Sequence, residues 1–318
     1  MPANLKELTT RKLPITGGHR LCDGCPAPII TKEVLFAAPD NPVVVQPTCC
    51  LEISSAVFPY SAWRVPWYHN LFENAAACIS GMEAADKAMK RRGVNTDKKY
   101  NFIVIGGDGG TYDIGFQALS GMLERGHRCL YVVYDNGAYM NTGIQRSGAT
   151  PYAAWTTTTY AGTKVPGKLE HRKDLVAIAA AHGAYAASAS LHNFRDLMAK
   201  VEKALKFDGP SFINVQAPCQ RGWRFESAET VELARLGTDT CFYPLYEVEE
   251  GGTKWTLNYI PRKKRPVEDY LRPQGRYAHI FRKGNEHIIK EIQRWVDWKW
   301  NNLLRLAGHE DKIQETPA

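Results

Sequence analysis

At 318 residues, with 44% apolar and 23% charged side chains, the chain is long enough for one large α/β domain or two small ones, and its composition excludes a disordered or fibrous protein. Forty basic residues against 33 acidic ones give a formal charge of +7. The excess sits in short runs such as residues 261–266 (PRKKRP) with no zinc-finger, RNA-recognition or helix-turn-helix pattern, so a solvated face or an acidic protein partner is expected, not nucleic acid. No run of about 18 apolar residues and no apolar N-terminal stretch occurs, which predicts no membrane span, no secretory signal and a cytoplasmic location.

In chain order, VVVQP (43–47) reads as a short buried strand and residues 71–93 as a helix ending in charged residues and glycine. NFIVIGGDGG (101–110) is a strand running into a glycine turn, followed by a helix over 114–126. CLYVVYDNG (129–137) is a strand with a polar end, residues 173–183 and 193–209 are helical, and SFINVQAP (211–218) is a late strand. This alternation predicts a doubly wound parallel sheet with helices on both faces over residues 1–220. After Gln220 the period is lost until Ile288, Ile289, Ile292, Trp295, Val296, Trp300 and Leu303 fall at helical spacing. Residues 221–318 are therefore expected to form a C-terminal arm that packs on another subunit.

The most informative stretch is Gly107-Asp108-Gly109 between a strand and a helix. Glycines there admit a phosphate close to the backbone, and the helix start offers free N–H groups to it. A carboxylate facing phosphate makes sense when it holds a divalent cation between them, and magnesium needs further oxygens. Asn136, 28 residues on at the end of the next strand, supplies one without adding charge. The stretch is no dinucleotide fingerprint and lacks the lysine of a P-loop.

Gly-Asp-Gly with Asn at this spacing resembles the thiamine-diphosphate motif. The segments IGGDGGTYDIGFQALSGMLERGH, YDNGAYMNTGIQRSGATPYAAWTTTT, SAVFPYSAWRVPW and LFENAAA resemble the β subunit of the 2-oxoacid:ferredoxin oxidoreductases, the multi-subunit pyruvate type above all, with the oxalate type also close. The resemblance runs from about Gly18 into the C-terminal arm. It implies the thiamine-diphosphate-binding fold, with magnesium held by the Asp108 and Asn136 side chains and the Ala138 carbonyl. Thr48, Cys50, Gly107, Gly109, Asn141 and Thr142 would join these around the cofactor. Asn141 would lie by the reactive carbon, where an amide can hydrogen-bond an oxygen that gains negative charge.

Eight cysteines in a reducing compartment do not suggest a disulfide framework. Cys22 and Cys25 form a C-x-x-C pair, Cys49 and Cys50 end the first strand, and Cys219 follows the last one. Neighbours in an extended segment point opposite ways, so one of Cys49 and Cys50 is expected to ligate. Spacing alone leaves an iron–sulfur cluster and zinc equally open, beside a redox pair or plain buried thiols. The family resemblance implies one 4Fe–4S cluster on Cys22, Cys25, Cys50 and Cys219. Two departures from the family pattern stand out: Pro26 follows Cys25 where glycine is usual, and Cys49 stands where the family has Thr-Gly-Cys. They also weaken a simple transfer of pyruvate as substrate. Cys78 and Cys129 read as core residues, and Cys241 shows no partner.

Thiamine enzymes need a carboxylic acid from a facing domain, and this chain holds one Gly-Asp-Gly domain. The resemblance therefore implies a cofactor at an interface, the acid coming from another subunit, and a chain inactive alone. It further implies α-, γ- and δ-type partner subunits (one ferredoxin-like), ferredoxin as acceptor, a small 2-oxoacid as substrate, and coenzyme A for pyruvate-type but not oxalate-type members. Competing expectations are a non-catalytic electron-transfer or scaffold subunit and a thiamine decarboxylase or synthase without redox chemistry. Among the histidines, His19 is expected to order the C-x-x-C loop, His69 to lie on the cofactor side, and His127 to be solvated.

Overall fold

A computed structural model describes residues 5–162 and 165–313. The expected strands all form: β1 (Pro42–Pro47), β3 (Asn101–Gly107), β4 (Leu130–Asp135) and β6 (Ser211–Gln216). Four more join them, β2 (Trp67–Asn70), β5 (Tyr185–Ser190), β7 (Tyr246–Glu249) and β8 (Lys254–Leu257), in the sheet order β2-β1-β3-β4-β6-β5-β7-β8. The first six in that order are parallel, while β7 and β8 add antiparallel pairings at one edge.

Side chains alternate across the sheet. Val44, Ile103, Ile105, Val132 and Ile213 face one core, beneath the helices Ala27–Phe36 and Phe194–Lys206. Val45, Phe102, Val104, Val133 and Phe212 face the other, beneath Ala75–Arg91, Phe116–Glu124 and Leu175–Ala181. Each such side chain contributes about 1.5–3 kcal/mol relative to exposure. Asn193 caps the Phe194 helix by accepting from Asp196 N at 3.2 Å, and Asp174 caps the Leu175 helix through Ala177 N at 3.2 Å.

After residue 220 the chain returns to the same body. Besides β7 and β8 it builds a third core, where Trp223, Phe242 and Tyr270 meet Ile288, Ile292, Val296 and Trp300 of the helix Glu286–Leu306. The apolar stripe expected to reach another subunit is thus buried on its own chain, pinned by Lys299 to Asp174 at 2.9 Å and by Tyr152 OH to Glu291 at 2.8 Å. The physical reason is the open end of the parallel sheet, which β7 and β8 extend and this helix covers. No helix among the described residues is long and apolar enough to cross a membrane.

Candidate active site

Parallel strands present their carboxyl ends to ligands, and β1, β3, β4 and β6 are neighbours in the sheet. Their ends deliver Thr48–Cys50, Gly107–Gly110, Asn136–Thr142 and Cys219 to one edge. A cleft of about 310 Å³ opens there, and every residue expected around the cofactor lines it: Thr48, Cys50, Gly107, Asp108, Gly109, Asn136, Ala138, Asn141 and Thr142.

Between β3 and the Phe116 helix the chain makes one π turn, Gly110–Ile114, an irregularity often found at functional sites. A Cβ on Gly109 would lie 2.5 Å from the Tyr139 ring, and one on Gly110 would lie 2.8 Å from Phe72 O. Glycine is thus needed for the loop to pack between its neighbours.

Asp108 is buried, and its Oδ2 accepts from Ser147 Oγ at 2.6 Å while Oδ1 accepts from Asn136 N at 3.2 Å. Burial, and next the nearby Asp135, push its carboxyl well above the usual range. Asp135 itself is paired with Arg172 and accepts from Asn214 Nδ2 at 2.9 Å. The Asn136 amide lies 2.9 Å from both Asp108 Oδ1 and Ala138 O. With its NH2 inward it donates to both; with its oxygen inward it completes a three-oxygen set. That donor chemistry fits a hard divalent cation, which would also neutralise the buried carboxylate.

Thr48 Oγ1 donates to Asn70 O at 3.1 Å, and Thr142 Oγ1 donates to Gln145 Oε1 at 2.5 Å. Both hydroxyls therefore shape loops from the cleft wall. Asn141 is exposed at the cleft mouth, its amide free to meet a ligand. Sequence reading missed Ser147, and it missed Phe72, Tyr134, Tyr139 and Met140 as lining residues. All five stand inside the segments that carried the family resemblance, which was the available signal.

The thiols sort themselves. Burial raises Cys50 most, followed by Cys49, Cys219, Cys25 and Cys22, so Cys50 lies within electrostatic reach of the other three expected ligands. Cys25 is pushed up to about 12 by burial, with Cys219 and Cys22 adding to it. Cys49 instead points into the core at the cleft floor, where Gln46 Nε2 donates to its sulfur at 3.7 Å and burial raises it to about 11. Among the described residues no three His, Cys, Asp or Glu side chains converge on a single-ion site.

The Cys22–Cys25 loop is docked onto the chain beyond Cys219. Ser227 Oγ donates to Asp23 Oδ2 at 2.6 Å, Thr230 Oγ1 to Gly24 O at 2.7 Å, and Gln220 Nε2 to Asp23 O. Gly24 has φ +67, and a Cβ there would lie 2.4 Å from Ser227 O. Pro26 occupies the position before the helix Ala27–Phe36, with no side-chain cap. His19 makes no side-chain hydrogen bond from its buried Nδ1. His69 Nδ1 sits 3.1 Å from the buried Glu52 Oε1. His127 departs from expectation: its Nδ1 lies 3.0 Å from Glu83 Oε2 and its side chain is 17% exposed.

This fold and cleft define a thiamine-diphosphate-binding domain, and residues 50–215 match the family model for the thiamine pyrophosphate enzyme C-terminal TPP-binding domain. Pyruvate synthase subunit PorB of Thermotoga maritima is 52% identical over 316 residues, covering 96% of this chain and 97% of that protein. PorB of Methanocaldococcus jannaschii is 50% identical (89% and 93% covered), and ketoisovalerate oxidoreductase subunit VorB of Pyrococcus furiosus is 42% identical (96% and 98%). The chain belongs to the β-subunit family of the 2-oxoacid:ferredoxin oxidoreductases, which are thiamine-dependent enzymes. The fold alone is shared with a solved 2-oxoglutarate:ferredoxin oxidoreductase from Magnetococcus marinus, at TM-score 0.51 and 21% identity over 68% of this chain and 77% of that one.

Proposed function

We propose that this chain is the magnesium-, thiamine-diphosphate- and 4Fe–4S-binding subunit of a cytoplasmic oxidoreductase that oxidatively decarboxylates pyruvate, with coenzyme A as acyl acceptor and ferredoxin as electron acceptor. What supports the reading is a buried three-oxygen set and four thiols within electrostatic reach of one another at one end of one sheet. Pyruvate is favoured because relatives named pyruvate synthase subunits reach 52% and 50% identity, against 43% and 42% for those named ketoisovalerate oxidoreductase.

In this reading Asp108, Asn136 and Ala138 would hold the cation that neutralises the diphosphate, and Cys22, Cys25, Cys50 and Cys219 would hold the cluster. Bound thiamine diphosphate supplies the nucleophilic carbon and the electron sink for decarboxylation, and the cluster supplies a one-electron acceptor beside it. The chain's own residues bind and orient. Asn141 presents its amide to the substrate's 2-oxo oxygen as charge develops there. Ser147 holds the Asp108 carboxylate in place, and the Tyr139 ring closes over Gly109. The carboxylic acid that activates the cofactor and most groups that grip the substrate carboxylate come from a partner subunit across the cleft mouth.

The test is anaerobic purification of the native complex with iron, sulfide and thiamine assayed together, then a panel of pyruvate, 2-oxoisovalerate and oxalate with and without coenzyme A. About four irons and one thiamine per copy of this chain, with turnover of pyruvate only when coenzyme A is present, are expected. Zinc in place of iron, or no thiamine, overturns the reading; preference for another acid moves only the substrate.

A further inference from the structure

Trp223, 3% exposed, touches both sets. It ends the short helix Gln220–Trp223, which Cys219 caps, and its backbone N–H donates to Cys219 O at 2.8 Å. Its indole Nε1–H crosses to the cation turn and donates to Asn136 O at 2.6 Å. The buried guanidinium of Arg276 stacks on the ring, 3.8 Å from its centroid.

The rest of that turn is already committed. Asn136 N donates to Asp108 Oδ1 at 3.2 Å, Gly137 N to Asp135 Oδ1 at 3.1 Å, and Thr150 Oγ1 to Gly137 O at 2.7 Å. Gly137, at φ +73, carries no Cβ to restrain the following peptide. The Asn136–Gly137 peptide is thus held at both ends, its N–H by Asp135 and its carbonyl by Trp223, and the Trp223 bond is the one that ties it to the segment beyond Cys219. The same indole joins this turn to the loop that carries Cys219.

We propose that Trp223 is a positioning residue that couples the two cofactor sites: the indole N–H holds the cation turn in register with the Cys219 loop, so an ordered cluster loop favours cation and diphosphate binding. This rests on the proposed function above. The coupling is reciprocal, because linkage requires each ligand to change the other's affinity by the same factor.

Trp223→Phe keeps a ring beneath Arg276 and deletes the N–H together with part of the buried ring, so the melting scan below is needed to weigh lost packing. In the purified complex, Mn2+ binding in the presence of thiamine diphosphate, followed by electron paramagnetic resonance, should weaken about threefold to tenfold, the range for one lost hydrogen bond to a buried acceptor. Oxidative removal of the cluster and desalting should weaken Mn2+ binding to the wild-type complex by a similar factor, and should add little in Trp223→Phe. A melting scan of each sample separates this from general loosening. Equal Mn2+ affinity in wild type and Trp223→Phe overturns the inference and leaves the proposed function intact. If Trp223→Phe does not assemble, the wild-type comparison decides, and unchanged affinity after cluster removal overturns it. A wild-type complex that binds no Mn2+ with thiamine diphosphate fails the proposed function first, and this inference with it.

Discussion

The oxygen set and the thiol set share one end of the sheet but are assembled in different ways. The oxygen set comes from the ends of two adjacent parallel strands, β3 and β4, whose register pairs Gly107 with Tyr134. Once the sheet forms, Asp108 and Asn136 have nowhere else to be. The thiols come from three segments that nothing local brings together. The Cys22–Cys25 loop is held to the segment after Cys219 by side-chain bonds from Gln220, Ser227 and Thr230 that span 197, 204 and 206 residues of chain. A site built on paired strands is preorganised without its ligand; one built on distant loops is completed by what it binds.

The most severe way to break this comparison is at Asp108. Asp108→Asn removes the one charged ligand of the oxygen set, so affinity for thiamine diphosphate with magnesium should fall by more than about 100-fold, beyond the 10–100-fold typical of outer partners. Iron content should stay unchanged, and the melting temperature without cofactor should not fall, since the substitution relieves a buried carboxylate. Titration calorimetry and an iron assay on one preparation check both, and complete loss of iron would show that Asp108 is needed to build the cluster loop and not only to hold the cation. Next come the adjacent cysteines. Cys50→Ala should empty the cluster site, while Cys49→Ala should keep its iron; the reverse pattern would mean that the floor thiol is the ligand. A milder break is Ser147→Ala, which frees Asp108 Oδ2 and should weaken cofactor binding about tenfold with iron intact.

The same contrast explains what the sequence made legible. The oxygen set was readable because its spacing is set by one helix and one strand, so Asp108 and Asn136 declare themselves in linear order. Cys22, Cys25 and Cys219 could be singled out by residue type, but which of Cys49 and Cys50 faces the core could not be read from the sequence, because it depends on the turn into the helix Cys50–Ser55. Strand β5 went unread because YAASAS carries no β-branched residue, although all six of its residues are buried. Ser147 and Trp223 were invisible for another reason. Each acts through a hydrogen bond to a residue 39 or 87 positions away, and no local pattern encodes such a partner.

The smallest expected effect sharpens the thiol side of the comparison. Glu33 lies on the helix that starts two residues after Cys25; the residue is partly exposed, yet its Oε2 is buried with no hydrogen-bond partner. Burial alone pushes its carboxyl up to about 8, from an ordinary 4.5. The folded state therefore keeps a proton that the unfolded chain releases near 4.5, and stability must fall with rising pH wherever the folded state binds more protons. Glu33 contributes fully below about 4.5 and loses its contribution as pH climbs through about 8. Glu33→Gln stays neutral throughout, so it should match wild type at pH 5 and melt a few degrees higher at pH 8.5. That corresponds to a gain on the order of 2 kcal/mol, below the full shift because the group is partly solvated. Melting curves of both proteins across pH 5–8.5 give the answer. Parallel curves would mean that a cation from elsewhere in the assembly already holds Glu33 ionised.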